Sequence, residues 1–367
     1  MDREGNAFSY VLPDEVLAAS EQISRDASGH ITVSEQVTNP ATRDRYLVNS
    51  LIEEAITSSQ LEGAATTRRV AKEMLRSRRQ PRDHGERGIY NNFLAMRHIA
   101  ELREERLTPE LVCQIHRIVT DGTLSSTEKA GQLQSVDDER IAVWDEFGTL
   151  LHRPPPAGEL PQRLQRLCDF ANGGEEERYM PPVLRAIAVH FMVGYDHYFE
   201  DGNGRTARAL FYWVMLRNGY WLTEFLSISR ILKGAPSQYG RSFLLTEQDD
   251  GDLTHFFIYH LAVIDRAVRE LHEYLAQKAE QQRTLSGMLK IPGSNNHRQI
   301  ALLERALREP DTEFSVQGHA GSHGVSGETA RQDLMDLEHR GLLQRSKRAR
   351  QFVWTAAPDL DGALRSQ

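Results

Sequence analysis

Apolar residues recur every three or four positions along most of the chain, the spacing of amphipathic helices. Residues 45–60, which include YLVNSLIEEAITSSQ, put Leu47, Leu51, Ile52, Ala55 and Ile56 on one face. Residues 109–120, 160–172 and 181–196 repeat the pattern. The segment 204–218, GRTARALFYWVMLRN, is apolar on nearly every side after its first turn. That predicts a central buried helix, closed by Gly219. Residues 253–285 predict one long helix or two, ending in the polar run AQKAEQQRT. One stretch breaks the helical period. Residues 139–151, ERIAVWDEFGTLL, hold two short apolar runs around Asp145–Gly148, with Pro154, Pro155 and Pro156 behind them. Such a pattern predicts a β-hairpin followed by extended chain. The expected fold class is therefore mainly α with one hairpin.

The Gly, Pro, Ser and Asn of residues 286–296 mark a linker. Beyond it, HRQIALLERALRE reads as an amphipathic helix, and VSGETARQDLMDLEHRGLLQR as a second helix closed by a turn at Gly341. SKRAR then reads as a basic loop between two short strands. The expected organisation is a helical region at 1–100, a core at 101–285, the linker, and a small winged-helix-like domain at 297–367. In a DNA-reading version of that domain Thr329 and Arg331 face the groove, and Lys347, Arg348 and Arg350 touch phosphates. Acids and bases balance there, and Asp333, Asp336 and Glu338 lie on or beside the reading helix. DNA binding is thus the less favoured role, and docking to protein or dimerisation the favoured one.

Composition narrows the class. The chain has 367 residues, 40% hydrophobic and 26% charged, as in ordinary globular proteins. A net charge of −8 argues against a surface built as a whole to coat nucleic acid. Two cysteines, Cys113 and Cys168, exclude a disulfide framework and fit a reducing compartment. MDREGNAFSY does not open a signal peptide, and no apolar run has membrane-spanning length. A cytoplasmic protein without a membrane partner is expected.

The chemistry concentrates at 197–208, HYFEDGNGRTAR, between two apolar helices. Gly202, Asn203 and Gly204 permit the tight backbone that turns N–H groups inward, and the loop opens straight into a helix N-terminus. That arrangement binds phosphate. Arg205 and Arg208, three apart, add charge and forked donors. Asp201 offers a hard oxygen suited to Mg²⁺, and His197 a base near neutral pH. A plain turn between helices has no need of these residues together. The loop lacks the Gly-Lys-Ser/Thr ending of a P-loop and follows a helix, unlike a dinucleotide fingerprint.

This stretch resembles the signature of the Fic family, His-x-Phe-x-Asp/Glu-Gly-Asn-Gly-Arg-x-x-Arg, with Tyr198 in place of the usual Pro. The resemblance extends over roughly residues 45–265. It implies a helical core with a β-hairpin flap and transfer of AMP from ATP to a Ser, Thr or Tyr hydroxyl of a target protein. By the resemblance, His197 is the base, Phe199 an anchor and Asp201 the ligand of Mg²⁺ or Mn²⁺. Gly202, Asn203, Gly204 and Arg205 cradle phosphates, and Arg208 pairs with the γ-phosphate. Ile141, Ala142 and Val143 of the flap add a strand to the target. Tyr239, followed by Gly240, is a base-stacking candidate or a core tyrosine. The family often carries an arginine where this chain has Gln134. A homodimer is expected. An alternative is a transcriptional regulator that uses the core only to sense nucleotide.

Residues Ser58 to Gly63 (SSQLEG) resemble the family's inhibitory motif. A Glu62 carboxylate near Arg208 would form a paired contact where the γ-phosphate belongs. The same residue could position water for removing AMP. Otherwise Glu62 and Gly63 simply end a helix.

Overall fold

The computed structural model describes residues 1–28, 40–77, 79–136, 138, 140, 143–144, 150–173, 179–289, 295–308, 310, 312–348 and 351–365. Two compact units emerge. One comprises residues 1–31 with 47–271, the other residues 32–46 with 272–367. The fold is mainly helical, as the period of the sequence predicts. Among the described residues no helix is long and apolar enough to cross a membrane.

Up to residue 289 the helices run α1 (Asp14–Ser28), α2 (Pro40–Leu61), α3 (Arg68–Ser77), α4 (His84–Glu101), α5 (Pro109–Thr120), α6 (Leu160–Asn172), α7 (Pro182–Asp196) and α8 (Asn203–Arg217). After them come α9 (Ile228–Gly234), α10 (Pro236–Gln248) and α11 (Thr254–Leu289). Helix α8 is the axis, buried from Arg205 to Leu216, and Trp213, Phe211 and Tyr212 fill its surroundings. It packs on α7, whose Ile187 and Phe191 are fully buried, and on α4 and α5. The face of α2 predicted from sequence packs as expected, with Ile52, Ala55 and Ile56 against Ala71, Met74 and Ile89. That packing fixes where the end of α2 falls. Cys168 is buried, whereas Cys113 is only half-buried, and both thiols are free.

The expected hairpin is present as β1 (Val143–Trp144) and β2 (Leu150–His152), antiparallel with Val143 opposite His152. Ile141 and Ala142 lie outside the described residues. Helix α11 continues to Leu289, four residues into the segment read as linker. Its Ala, Gln, Lys, Glu and Arg are strong helix formers, which outweighs their lack of an apolar stripe.

The second unit holds α12 (His297–Arg308), α13 (Val316–His323), α14 (Gly327–His339), a hairpin of β3 (Leu343–Arg348) and β4 (Gln351–Ala356), and α15 (Leu360–Arg365). Phe314 bridges to Trp354, and both join a core with Leu303, Leu334 and Leu337. Ser315 and Ser326 cap α13 and α14. Three acids of α14 are hydrogen-bonded within the unit. Asp333 is held by Arg298 at 2.7 Å, and Asp336 accepts from Gln299 at 2.8 Å. Glu338 accepts from the Trp354 indole at 2.8 Å. The solvent face carries Glu328, Arg331, Gln332 and Met335, while Thr329 is half-buried on Ser326.

Candidate active site

Helix α7 stops at Asp196 because His197 adopts the left-handed conformation, φ 50° and ψ 58°. The chain then turns back and starts α8 at Gly202, which has φ 82°. A Cβ at Gly202 would stand 2.7 Å from the Thr120 methyl, so backbone angle and space both call for glycine. The first helical bond runs from Thr206 N to Gly202 O at 3.0 Å. The N–H groups of Asn203, Gly204 and Arg205 therefore lack an acceptor among the described residues and share the positive end of α8. Such an arrangement can hold an anion, with donors supplied by the backbone.

Side chains from elsewhere lock the cradle. Asn203 accepts from Phe199 N at 3.0 Å and donates to Phe199 O at 2.7 Å. Its amide oxygen and one of its two amide N–H groups are thus engaged by the loop. The Phe199 ring stacks on the His116 ring at 3.7 Å. His116 Nδ1 accepts from Gly131 N at 2.9 Å, so Nε2 carries the proton and donates to Asp201 O at 2.7 Å. Burial pushes His116 down to about 4, which keeps it neutral. Gln134 donates from its backbone to Tyr198 O at 2.9 Å and from its side chain to Phe199 O at 2.8 Å. Tyr198, in place of the proline, is fully buried and donates to Asp196 at 2.7 Å.

The charged groups of the loop lie as follows. Asp201 is half exposed, with one oxygen accepting from Gly202 N at 2.6 Å and the other 3.4 Å from Arg205. Arg205 is buried, and its Nε has no partner. Arg208 is 1% exposed. It donates from Nε to Ser58 Oγ at 2.8 Å, and from Nη2 to Ser58 O at 3.1 Å and Glu62 Oε1 at 2.8 Å. Its Nη1 is buried without a partner. Glu62 stands just past the end of α2, and a Cβ at Gly204 would collide with its carboxylate. Ser58, Glu62 and Arg208 are therefore together, with the carboxylate lying over the first turn of α8. A cleft of about 550 Å³, lined by Ser59, Glu62, Thr66, His84, Asp201 and Arg205, opens beside them.

Burial lowers the basicity of His197, and its Nδ1 faces Gly194 O at 3.3 Å. Tyr239 turns its hydroxyl to His190 Nε2 at 2.8 Å and packs its ring edge-on to Phe243 and His260. Burial pushes that hydroxyl up to about 12, and the ring stays partly exposed.

His116, Gln134 and Arg140 are the functional supports that sequence reading passed over. A lone histidine on an apolar helix carries no signal beyond its type. Arg140 sits in the stretch read for its hairpin pattern alone, and Gln134 was noted only for the arginine it replaces.

Residues 106–215 match the model of the Fic/DOC family. The protein adenylyltransferase Fic of Drosophila willistoni is 39% identical over 69 residues, 19% of this chain and 14% of that protein. The namesake of Culex quinquefasciatus is 38% identical over the same length, again 14% of its chain. The match thus spans about a seventh of these curated relatives. The crystal structure of a Fic family protein from Desulfovibrio desulfuricans is similar with TM-score 0.64 at 18% identity, covering 96% of this chain and 99% of that one. A Fic domain containing signaling protein from Bacteroides thetaiotaomicron gives TM-score 0.52 at 20% identity, covering 70% and 93%. At such identities the structures show the fold alone.

Proposed function

The chain carries a domain of the Fic/DOC family at residues 106–215, and from that premise we propose that it transfers AMP from ATP to a protein hydroxyl. The observation that carries the reading is the anion cradle at the start of α8, flanked by two buried arginines with unpartnered N–H groups. Unsatisfied buried donors of this kind ask for an acceptor, and a polyphosphate supplies many.

His197 takes the proton of a target Ser, Thr or Tyr hydroxyl. The freed oxygen bonds to the α-phosphorus, the bond from that phosphorus to the β-phosphate bridging oxygen breaks, and pyrophosphate leaves. The N–H groups of Asn203, Gly204 and Arg205 and the Arg205 guanidinium stabilise charge on the phosphates in flight. Arg208 orients the γ-phosphate. The residues fit a divalent ion: Asp201 gives one accessible carboxylate, and Mg²⁺ or Mn²⁺ is commonly held by one or two carboxylates plus phosphates and water. Such an ion would neutralise phosphate charge. The hairpin around Val143 is the docking edge for the target in this reading.

Glu62 restrains the reaction by holding the guanidinium that the γ-phosphate needs, with Ser58 holding its other edge. In this reading the same carboxylate would also orient water for removing AMP. The C-terminal unit serves as a docking or dimerising module, since its solvent face mixes Glu328 and Arg331 with the apolar Met335.

Incubating the Glu62→Gly chain with α-labelled ATP and a cell lysate tests the proposal. Labelled protein bands that vanish with His197→Ala are expected. ATP binding without any transfer, even after removal of Glu62, would leave a nucleotide-sensing regulator instead.

A further inference from the structure

The last carbonyls of a helix have no partner inside it, and at the end of α7 they are the ones that carry His197. Each is answered from outside. Gly194 O faces the His197 ring at 3.3 Å, and Tyr195 O faces His152 Nε2 at 2.8 Å. Arg140 donates to Asp196 O at 2.6 Å from Nη2 and to His197 O at 2.9 Å from Nη1. Residue 134 then takes Tyr198 O and Phe199 O. Arg140 is also bonded to the Gln134 side-chain oxygen, and through Nε to Pro155 O at 2.9 Å. It lies just before β1, and Pro155 lies just after β2, so one guanidinium closes the base of the hairpin and the end of α7 together.

We infer that Arg140 is a positioning residue for the base: it ties the hairpin to the left-handed turn at His197 and cancels the helix-end field on that ring. The inference rests on the reading of His197 as the base. Two physical points support it. A non-glycine residue held at positive φ keeps that conformation only when its surroundings over-determine it, and Arg140 grips the peptide carbonyls on both sides of the turn. In addition, the negative end of a helix favours a charged histidine, which could not act as a base. A half-buried cation on those same carbonyls opposes that effect.

Other groups also face His197. Burial is the main cause of its lowered basicity; His152 and Arg140 push in the same direction and Glu62 in the other. His152 is itself bonded to the Glu247 carboxylate at 2.8 Å. Removing Arg140 alone therefore leaves burial and His152 in place and should move His197 upward only by the share that Arg140 holds.

The test uses Arg140→Met and Arg140→Lys in the full chain carrying Glu62→Gly. Two readouts are taken: the titration of the His197 ring by NMR of histidine-labelled protein, and kcat and KM for ATP in transfer. In Arg140→Met the His197 midpoint should move up, and kcat should fall at least about tenfold as the base loses its placement. KM for ATP should stay within about twofold, because the phosphate cradle is untouched. Arg140→Lys should restore the midpoint through its charge but not kcat, since an ammonium cannot span the same carbonyls. An unmoved midpoint in a folded Arg140→Met chain would overturn the inference, as would a rise in KM with kcat unchanged. If Arg140→Met does not fold, Arg140→Gln removes the charge while retaining an amide donor and decides the same points. The titration needs no catalysis, so a chain that transfers nothing would refute the proposed activity and still decide the role of Arg140.

Discussion

The loop at 197–208 and the helix end at 58–63 meet at Arg208, yet they are held in different ways. The loop is bonded at nearly every turn, by Asn203 to Phe199, by His116 to Asp201, and by Gln134 and Arg140 to four successive carbonyls. Ser58 and Ser59 are buried like the loop. Glu62 is not: it stands beyond α2 with its side chain 28% exposed, and among the described residues its one side-chain hydrogen bond is to Arg208. The difference separates a scaffold from a removable part. A rigid cradle preorganises charge stabilisation, whereas a single carboxylate on a half-open helix end can leave without disturbing the core. Under the proposed function, restraint and catalysis should thus be separable by mutation.

The largest effect should come from the rigid side. His197→Ala removes the base and should abolish transfer, a loss of about a hundredfold or more, while ATP binding by calorimetry stays near the native value. Near-native labelling by that variant would break the assignment of His197 and with it the contrast between holding and reacting.

The next effect comes from the removable side. Glu62→Gly should raise transfer by about a hundredfold, because it frees Arg208 and restores the alignment of the α-phosphate. Adding Arg208→Ala should cancel most of that gain, giving strong non-additivity in a double-mutant cycle. Equal activation with and without Arg208 would mean that residues 58–63 only end a helix.

A smaller effect sharpens the scaffold itself. His116 is neutral and held near 4 in the folded chain, against an ordinary value of 6.5. Between those pH values the unfolded chain binds a proton that the native chain refuses, so this group costs stability as pH falls and nothing above about 6.5. The cost reaches about 2.5 kcal/mol by pH 4.5. His116→Gln should therefore lose less stability than the native chain between pH 7 and 4.5, read from urea midpoints. Glu54 and Asp196, whose carboxyls burial raises, are common to both proteins and drop out of the comparison. Equal losses would contradict the reading of His116 as a buried neutral strut.

The smallest expected effect concerns the second unit. Gel shifts at physiological salt should show no sequence-specific complex with residues 297–367, given the mixed charge of the α14 face. A nanomolar complex would overturn this. Asp333, Asp336 and Glu338 are each bonded within the unit, so their count alone is a weaker objection than the sequence suggested.

What was legible in the sequence followed from contiguity. The helices α5 to α8 are strongly periodic, and base, acid, glycines and arginines of the loop fall within one turn and one helix start. Glu62 was singled out by the resemblance of residues 58–63 to a family motif, at a helix end that the structure places against Arg208. The supports were not legible for the opposite reason. His116 reaches Asp201 across 85 residues, and Arg140 reaches His197 across 57. No local pattern marks a side chain whose partners are distant peptide carbonyls. Tyr239 shows the same limit: its type suited a base stack, and only the fold turns its hydroxyl to His190. The extension of α11 through a polar run also reflects propensity acting where periodicity is silent.

The most direct measurement follows self-modification of the purified Glu62→Gly chain with ATP labelled on either the α- or the γ-phosphate. The account predicts covalent label from α-labelled ATP, none from γ-labelled ATP, and loss of the signal with His197→Ala. Label from the γ-phosphate alone, or no label from either, would contradict AMP transfer at this site.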